Sequence, residues 1–171
     1  TVMAAGAAGV AVMSSINDSA NPETVAAAFR RELHTVSGAP MELEIAIDNL
    51  KALGFKVKVG AHALDRYGYL AGKDTDRAAD INAFFGDKDV QGICAVRGGW
   101  GAARLLPYLD FDVIAKNPKV LFGFSDITAL HMALPAKTGL VTFHAPTGFS
   151  AWTELSASWF KRVVMDGESA V

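Results

Sequence analysis

Ser125 lies where an apolar run, residues 120–124, gives way to an amphipathic pattern that starts at Asp126. A strand that turns sharply into a helix holds the side chain at the junction above the sheet, close to the free N–H groups of the new helix. A serine nucleophile needs such a position. The second residue after Ser125 is Ile127, not the glycine of a Gly-x-Ser-x-Gly motif. The residues alone therefore also allow an ordinary helix cap, in which Ser125 accepts a hydrogen bond from the N–H of Ile127 or Thr128.

Residues 98–101, Gly-Gly-Trp-Gly, form a second junction, here termed the glycine corner. Glycines let the backbone approach a ligand closely and direct N–H groups at an anion. The dinucleotide fingerprint would require a third glycine where this chain has Arg104, and the chain contains no Gly-Lys-Ser/Thr of a P-loop. A nucleotide site is thus disfavoured. An anion site remains open, as does a tight turn in which Arg104 caps or pairs locally.

Hydrophobic periodicity indicates the elements that position these two junctions. Apolar runs predict strands, and amphipathic patterns predict helices. Strands are predicted at 33–37, 55–59, 90–96, 120–124 and 140–143, and helices at 21–33, 41–53, 74–85, 126–136 and 152–165, with a short helix from the glycine corner to Leu106 that stops before Pro107. The alternation predicts an α/β fold with an open, mostly parallel sheet and helices on both faces. Such sheets bind ligands beyond the carboxyl ends of their strands, where both junctions lie, so we expect them to converge.

Composition narrows the function classes. The chain has 171 residues, 51% of them hydrophobic, and a net charge of −2, which is enough for a sizeable core and gives no basic footprint for nucleic acid. Cys94 is the single cysteine, so an internal disulfide or a cysteine-based zinc site is excluded. Its place inside an apolar run indicates a core residue; a thiol nucleophile is the weaker alternative.

Several ordered motifs resemble the LD-carboxypeptidase family, also called muramoyltetrapeptide carboxypeptidases. The resemblance runs from about Leu50 to Pro146 and rests on AVRGGWGAARLLPYLD at 95–110, NPK at 117–119, GFSDITALH at 123–131 and TFHAP at 142–146, with DRYGYLAG at 65–72 and RAAD at 77–80. It implies a Rossmann-like amino-terminal domain and a serine hydrolase that releases the terminal D-alanine from cell-wall tetrapeptides without a metal or cofactor.

The resemblance also assigns residues. Ser125 matches the nucleophile, the backbone N–H groups of Gly99 and Asp126 match the oxyanion hole, and Gly98 and Trp100 match the wall of the substrate cleft. Two fixed N–H donors beside the carbonyl would stabilise the negative oxygen that forms when a hydroxyl attacks a peptide. Family members carry the remaining Glu and His of the triad in a separate carboxy-terminal domain.

The chain departs from the family pattern in two places. The region before Met41 does not show the usual first strand and its Ala-Pro-Ser-like turn, and no segment matches the Glu and His of the second domain. His131, six residues along the predicted helix, is expected to point away from Ser125. His144 follows the last strand, where a structural or cleft-lining role is expected more than a general base. We therefore divide the chain into a leader-like or unassigned segment (1–32), a nucleophile-bearing domain (33–150) and a helix leading toward a missing domain (151–171).

The expected partners are a murein tetrapeptide and a domain or chain that supplies the Glu and His, with a homodimer possible. The family's role in peptidoglycan recycling implies a cytoplasmic location, whereas the small, apolar start of the chain suggests export as an alternative. Two other functions stay open: an amidase of the same superfamily that acts on a peptide antibiotic, and a non-catalytic module that binds a carboxylate or phosphate.

Overall fold

The sheet has five parallel strands in the order β2-β1-β3-β4-β5. A computed structural model of the chain describes residues 24–29, 39–68 and 70–168. The strands are β1 Thr24–Phe29, β2 Lys56–Val59, β3 Gly92–Ala95, β4 Val120–Gly123 and β5 Phe143–His144. The predicted open parallel sheet is confirmed. Strand order reverses between β1 and β3, and a sheet of this kind opens a crevice at the carboxyl ends of its strands.

Helices connect the strands. They are α1 Ala39–Ala52, α2 Asp74–Gly86, α3 Phe111–Lys116, α4 Thr128–Thr138 and α5 Glu154–Phe160, with 3-10 turns at Ala102–Tyr108 and Ser125–Ile127 and a π-helical turn at Lys161–Met165. Local chemistry accounts for several ends. Asp74 and Asp76 occupy the positive first turn of α2, and Gly139 ends α4 in the left-handed region with φ 73°. None of the described helices is long and apolar enough to cross a membrane.

Two local predictions are wrong. The sequence predicts a helix over residues 21–33, but Thr24–Phe29 is a strand that pairs with both β2 and β3. This run of alanines has a helical propensity that pairing within the sheet overrides. Pro107 does not stop the preceding helix either, since it lies inside the 3-10 turn Ala102–Tyr108. The predicted strand at 33–37 lies outside the described residues.

The core lies on both faces of β3 and β4, whose residues are all buried. Leu50 of α1, Phe85 of α2 and Leu130 of α4 are fully covered and belong to the same apolar cluster. Cys94 is buried in β3, where burial raises the pKa of its thiol far above the ordinary value. This agrees with the predicted core role, because a thiol that stays protonated is a poor nucleophile.

Candidate active site

Ser125 occupies a strained turn directly after β4. Its φ is 65°, and it is the one non-glycine residue with positive φ in the described part of the chain. An L-residue in this left-handed region costs roughly 1–2 kcal/mol. Strained strand-to-helix turns of this type expose a nucleophile at the top of a sheet, and the Ser125 side chain is indeed exposed.

The helix-cap interpretation of Ser125 does not match the geometry. Phe124 occupies the position before the 3-10 turn Ser125–Ile127, and this turn has no side-chain cap. The N–H of Ile127 donates to the carbonyl of Phe124 at 3.4 Å, so the backbone itself closes the turn. The Ser125 hydroxyl is not used to satisfy a helix end.

The two junctions converge, as the sequence predicts. A Cβ built on Gly98 would lie 2.7 Å from Cβ and 3.0 Å from Oγ of Ser125. Only glycine therefore fits at position 98 without displacing the serine. Gly99 and Gly101 adopt φ of 138° and 115°, which side chains rarely tolerate. The structure thus brings Gly98 and Ser125 together, with Gly99 next along the corner.

Ion pairs support the glycine corner from α2. Arg104 donates through Nε to the carboxylate of Asp74 at 2.9 Å, and Arg77 also hydrogen-bonds that carboxylate. Arg77 reaches the carbonyl of Gly101 at 3.5 Å. Burial raises the pKa of Asp74, but the hydrogen bonds from Arg104 and Arg77 outweigh it, so the pKa lies below its ordinary value. Arg104 thus pairs with a carboxylate 30 positions away and not locally, and its guanidinium lies 5.8 Å from the ring of the exposed Trp100.

Asp126 contributes a contact that the sequence did not reveal. Its Oδ2 accepts a hydrogen bond from the N–H of Ala102 at 2.7 Å. The bond joins the residue after Ser125 to the residue after the glycine corner. A carboxylate directly after the candidate nucleophile was the available signal, but its partner 24 positions away could not be identified from spacing.

His131 does not point away from the junction as predicted. Its Nε2 donates to the carbonyl of Gly123, two residues before Ser125, at 2.9 Å. The prediction assumed a continuous helix from Asp126, whereas α4 begins at Thr128 after a 3-10 turn. With the proton on Nε2, Nδ1 is a bare acceptor, and it is buried without a partner among the described residues. Burial lowers the pKa of His131, which is therefore neutral near pH 7.

His144 lies at the exposed end of β5. Its ring centroid is 6.1 Å from that of His131 and 6.2 Å from that of Phe124. No hydrogen bond joins either histidine to the Ser125 hydroxyl within residues 39–68 and 70–168. The geometry suits a residue that lines the rim more than a general base.

His62, Asp65 and Asp76 form a second group of polar side chains near the carboxyl end of β2. Their ligand-type atoms lie within 4.8 Å of one another, so this group could hold a metal ion. His62 already pairs with Asp65 at 3.0 Å, and that pairing accounts for much of the proximity. This group was not predicted from the sequence.

A model of the family described as the LD-carboxypeptidase N-terminal domain matches residues 25–145, more than half of the chain. A probable murein peptide carboxypeptidase of Bacillus subtilis is 44% identical over 107 residues, which cover 63% of this chain and 34% of that protein. This chain thus spans about a third of the length of that relative.

Two solved structures have similar folds. The microcin C7 self-immunity protein MccF, in complex with aspartyl sulfamoyl adenosine, has a TM-score of 0.77 at 27% identity, covering 90% of this chain and 47% of its own. A muramoyltetrapeptide carboxypeptidase from Oxalobacter formigenes has a TM-score of 0.68 at 30% identity, covering 81% of this chain and 47% of its own.

Proposed function

Since the chain belongs to the LD-carboxypeptidase family through its N-terminal domain, we propose that it carries the nucleophile of a serine peptidase acting on murein peptides. Family membership supports a peptidase function in general. The finer proposal is release of the terminal D-alanine from a cell-wall tetrapeptide in the cytoplasm. Ser125 attacks the carbonyl, the N–H groups of Gly99 and Asp126 bind the oxyanion, and Gly98 and Trp100 line the cleft.

The observation that carries this proposal is the strained, exposed Ser125 against Gly98. A left-handed serine that caps nothing is a costly feature, and strain of this kind clusters at functional sites. Its closeness to Gly98 supports the second requirement, because it places the backbone of the glycine corner beside the serine, where N–H groups would face the attacked carbonyl. Each such donor typically contributes a factor of about 10² to 10³ in rate.

Serine also requires an oriented general base, because its hydroxyl is a weak nucleophile near neutral pH. His131 donates to a carbonyl, and His144 contacts aromatic rings. The proposal therefore assigns the base to a Glu and a His on a carboxy-terminal domain or a second chain that covers the carboxyl ends of the strands.

A paired measurement on Ser125→Ala tests the assignment. Release of D-alanine from a tetrapeptide, with the carboxy-terminal domain present, should fall by about 10⁴ to 10⁶, the range for loss of a triad member. Labelling by a fluorophosphonate should disappear. Ser158→Ala, at an exposed position of α5, is the matched control and should keep both activities. Wild-type turnover by Ser125→Ala with a lowered melting temperature would instead identify a structural serine.

A second candidate function is favoured by the similarity to MccF. That protein was solved with aspartyl sulfamoyl adenosine, so an amidase that acts on an aminoacyl nucleotide analogue is a specific alternative. The nucleophile and oxyanion hole would be the same in both cases. Measuring kcat/KM for a murein tetrapeptide and for aspartyl sulfamoyl adenosine separates the two functions. The kcat/KM for the preferred substrate should exceed the other by orders of magnitude. A non-catalytic module that only binds carboxylate or phosphate would hydrolyse neither substrate, and its Ser125 would not be labelled by the fluorophosphonate.

A further inference from the structure

The carboxylate of Asp126 bridges the two junctions that form the site. Asp126 follows Ser125 at the end of β4, and Ala102 follows the glycine corner beyond β3. The 2.7 Å bond between Asp126 Oδ2 and the Ala102 N–H therefore joins two separate strand-to-helix connections. A hydrogen bond to an ionised acceptor is roughly twice as strong as a neutral one.

The glycine corner needs such an anchor. Gly99 and Gly101 both adopt positive φ, and glycine gives the backbone more conformational freedom than any other residue. Arg77 reaches the carbonyl of Gly101, which belongs to the same peptide group as the Ala102 N–H, at a longer distance of 3.5 Å. The Asp126 carboxylate is thus the tighter of these two restraints on the corner.

We propose that the Asp126 carboxylate is a positioning group that sets the distance between the two halves of the oxyanion hole. This inference rests on the proposed function, in which one N–H donor comes from Gly99 and the other from the backbone of Asp126 itself. Asp126 then contributes one N–H donor through its main chain. Its side chain holds the glycine corner, which carries the other donor, Gly99. The contact fixes the positions of the two N–H donors before the substrate binds. Its loss should therefore slow the chemical step and not weaken substrate binding.

With the carboxy-terminal domain present, Asp126→Ala should lower kcat about 10²-fold with KM nearly unchanged, because a shift of about 1 Å in a reacting group can cost that factor. The rate of Ser125 labelling by a fluorophosphonate should fall in parallel, since the same N–H donors stabilise that reaction. Asp126→Asn keeps an acceptor oxygen of the same reach and should restore most of both rates. A role confined to folding would lower the melting temperature without this split between kcat and KM.

Asp110→Ala is the matched control. The Asp110 carboxylate also accepts a backbone hydrogen bond, from Val113 at 2.9 Å, but it does so at the start of α3. Its loss should lower the melting temperature by about 1–8 °C, as expected for a helix cap in a chain of this size, and leave kcat at the wild-type value. Amide hydrogen exchange on the unmodified chain is a second test. The Ala102 N–H should exchange slowly, because it donates to Asp126. Asp126→Asn should retain that protection.

The outcomes separate the inference from the proposed function. Wild-type protein that labels at Ser125, together with Asp126→Ala that labels at the same rate, would overturn the inference alone. Equal losses of kcat and labelling rate in Asp126→Ala and Asp126→Asn would also overturn the inference. An acceptor oxygen held at that position would then have no effect on the rate. An unprotected Ala102 N–H in the unmodified chain would do the same even if Asp126→Ala failed to fold. Wild-type protein that does not label at Ser125 with the carboxy-terminal domain present would overturn the proposed function and the inference with it.

Discussion

Gly98→Ala tests whether the two junctions must touch. The added Cβ would lie 2.7 Å from Cβ of Ser125, whereas carbon atoms in favourable contact are about 3.5–4.0 Å apart. About 1 Å of movement is therefore required. The clashing atom is fixed to the backbone and cannot rotate away, so either the serine or the glycine corner must shift.

The expected size of the effect follows from that displacement. Misplacement of a reacting group by about 1 Å can cost about 10²-fold in rate. Overpacking of this kind costs about 1–3 kcal/mol, and each kcal/mol lowers the melting temperature of a chain this long by about 2–4 °C. We therefore expect Gly98→Ala to fold, to melt several degrees lower and, with the carboxy-terminal domain present, to lose at least about 10²-fold in fluorophosphonate labelling of Ser125.

The matched control is Gly86→Ala at the end of α2. A Cβ there would have its nearest neighbour, Cγ1 of Val113, at 4.0 Å, which is ordinary contact. This variant should label at the wild-type rate with an unchanged or slightly higher melting temperature. If Gly98→Ala also labelled and melted like wild type, the close approach of Gly98 and Ser125 would not exist and the geometric argument would be refuted.

Two further predictions concern Ser125 and His131. Ser125→Gly and Ser125→Ala both remove the hydroxyl, but only glycine relieves the left-handed backbone, so Ser125→Gly should be more stable than Ser125→Ala by about 1 kcal/mol in urea unfolding; equal stabilities would contradict the strain. His131→Gln keeps a donor for the Gly123 carbonyl and removes a titrating group. Burial lowers the folded pKa of His131, so the unfolded state binds the proton more tightly, and wild-type stability should decrease as pH falls from about 6.5 toward the folded pKa. Urea unfolding at pH 5 and pH 7.5 should show a smaller pH dependence in the variant, and an identical dependence would refute the assignment.

The sheet and the meeting of its junctions could be predicted because they depend on local patterns. Residues 90–96 and 120–124 are continuous apolar runs, which fit buried parallel strands. Since the carboxyl ends of such strands share one edge, Gly98 and Ser125 had to lie near each other. The same reasoning could not identify β1, because its alanine-rich segment suits a helix equally well until β2 and β3 pair with it.

Contacts between distant residues could not be predicted. The bond from Asp126 to Ala102 depends on how two turns face each other, and neither turn specifies the other by spacing. His131 reaches the Gly123 carbonyl across a 3-10 turn that precedes α4 and that periodicity does not indicate. Periodicity assumes one regular helix, so it assigns such a side chain to the wrong side.

The strain at Ser125 persists because the residues on either side are fixed. The Gly123 carbonyl accepts hydrogen bonds from the Ala145 N–H at 3.1 Å and from His131, which holds the end of β4. On the other side, the Phe124 carbonyl and the Ile127 N–H close the turn. A left-handed residue is kept only where its surroundings determine it in this way. The position of Ser125 is thus set by β4 and α4. The position of Gly99 depends instead on the contacts that Asp126 and Arg77 make with the end of the glycine corner. Substitutions that loosen those contacts should therefore change the rate of the reaction at Ser125 more than they change the stability of the fold.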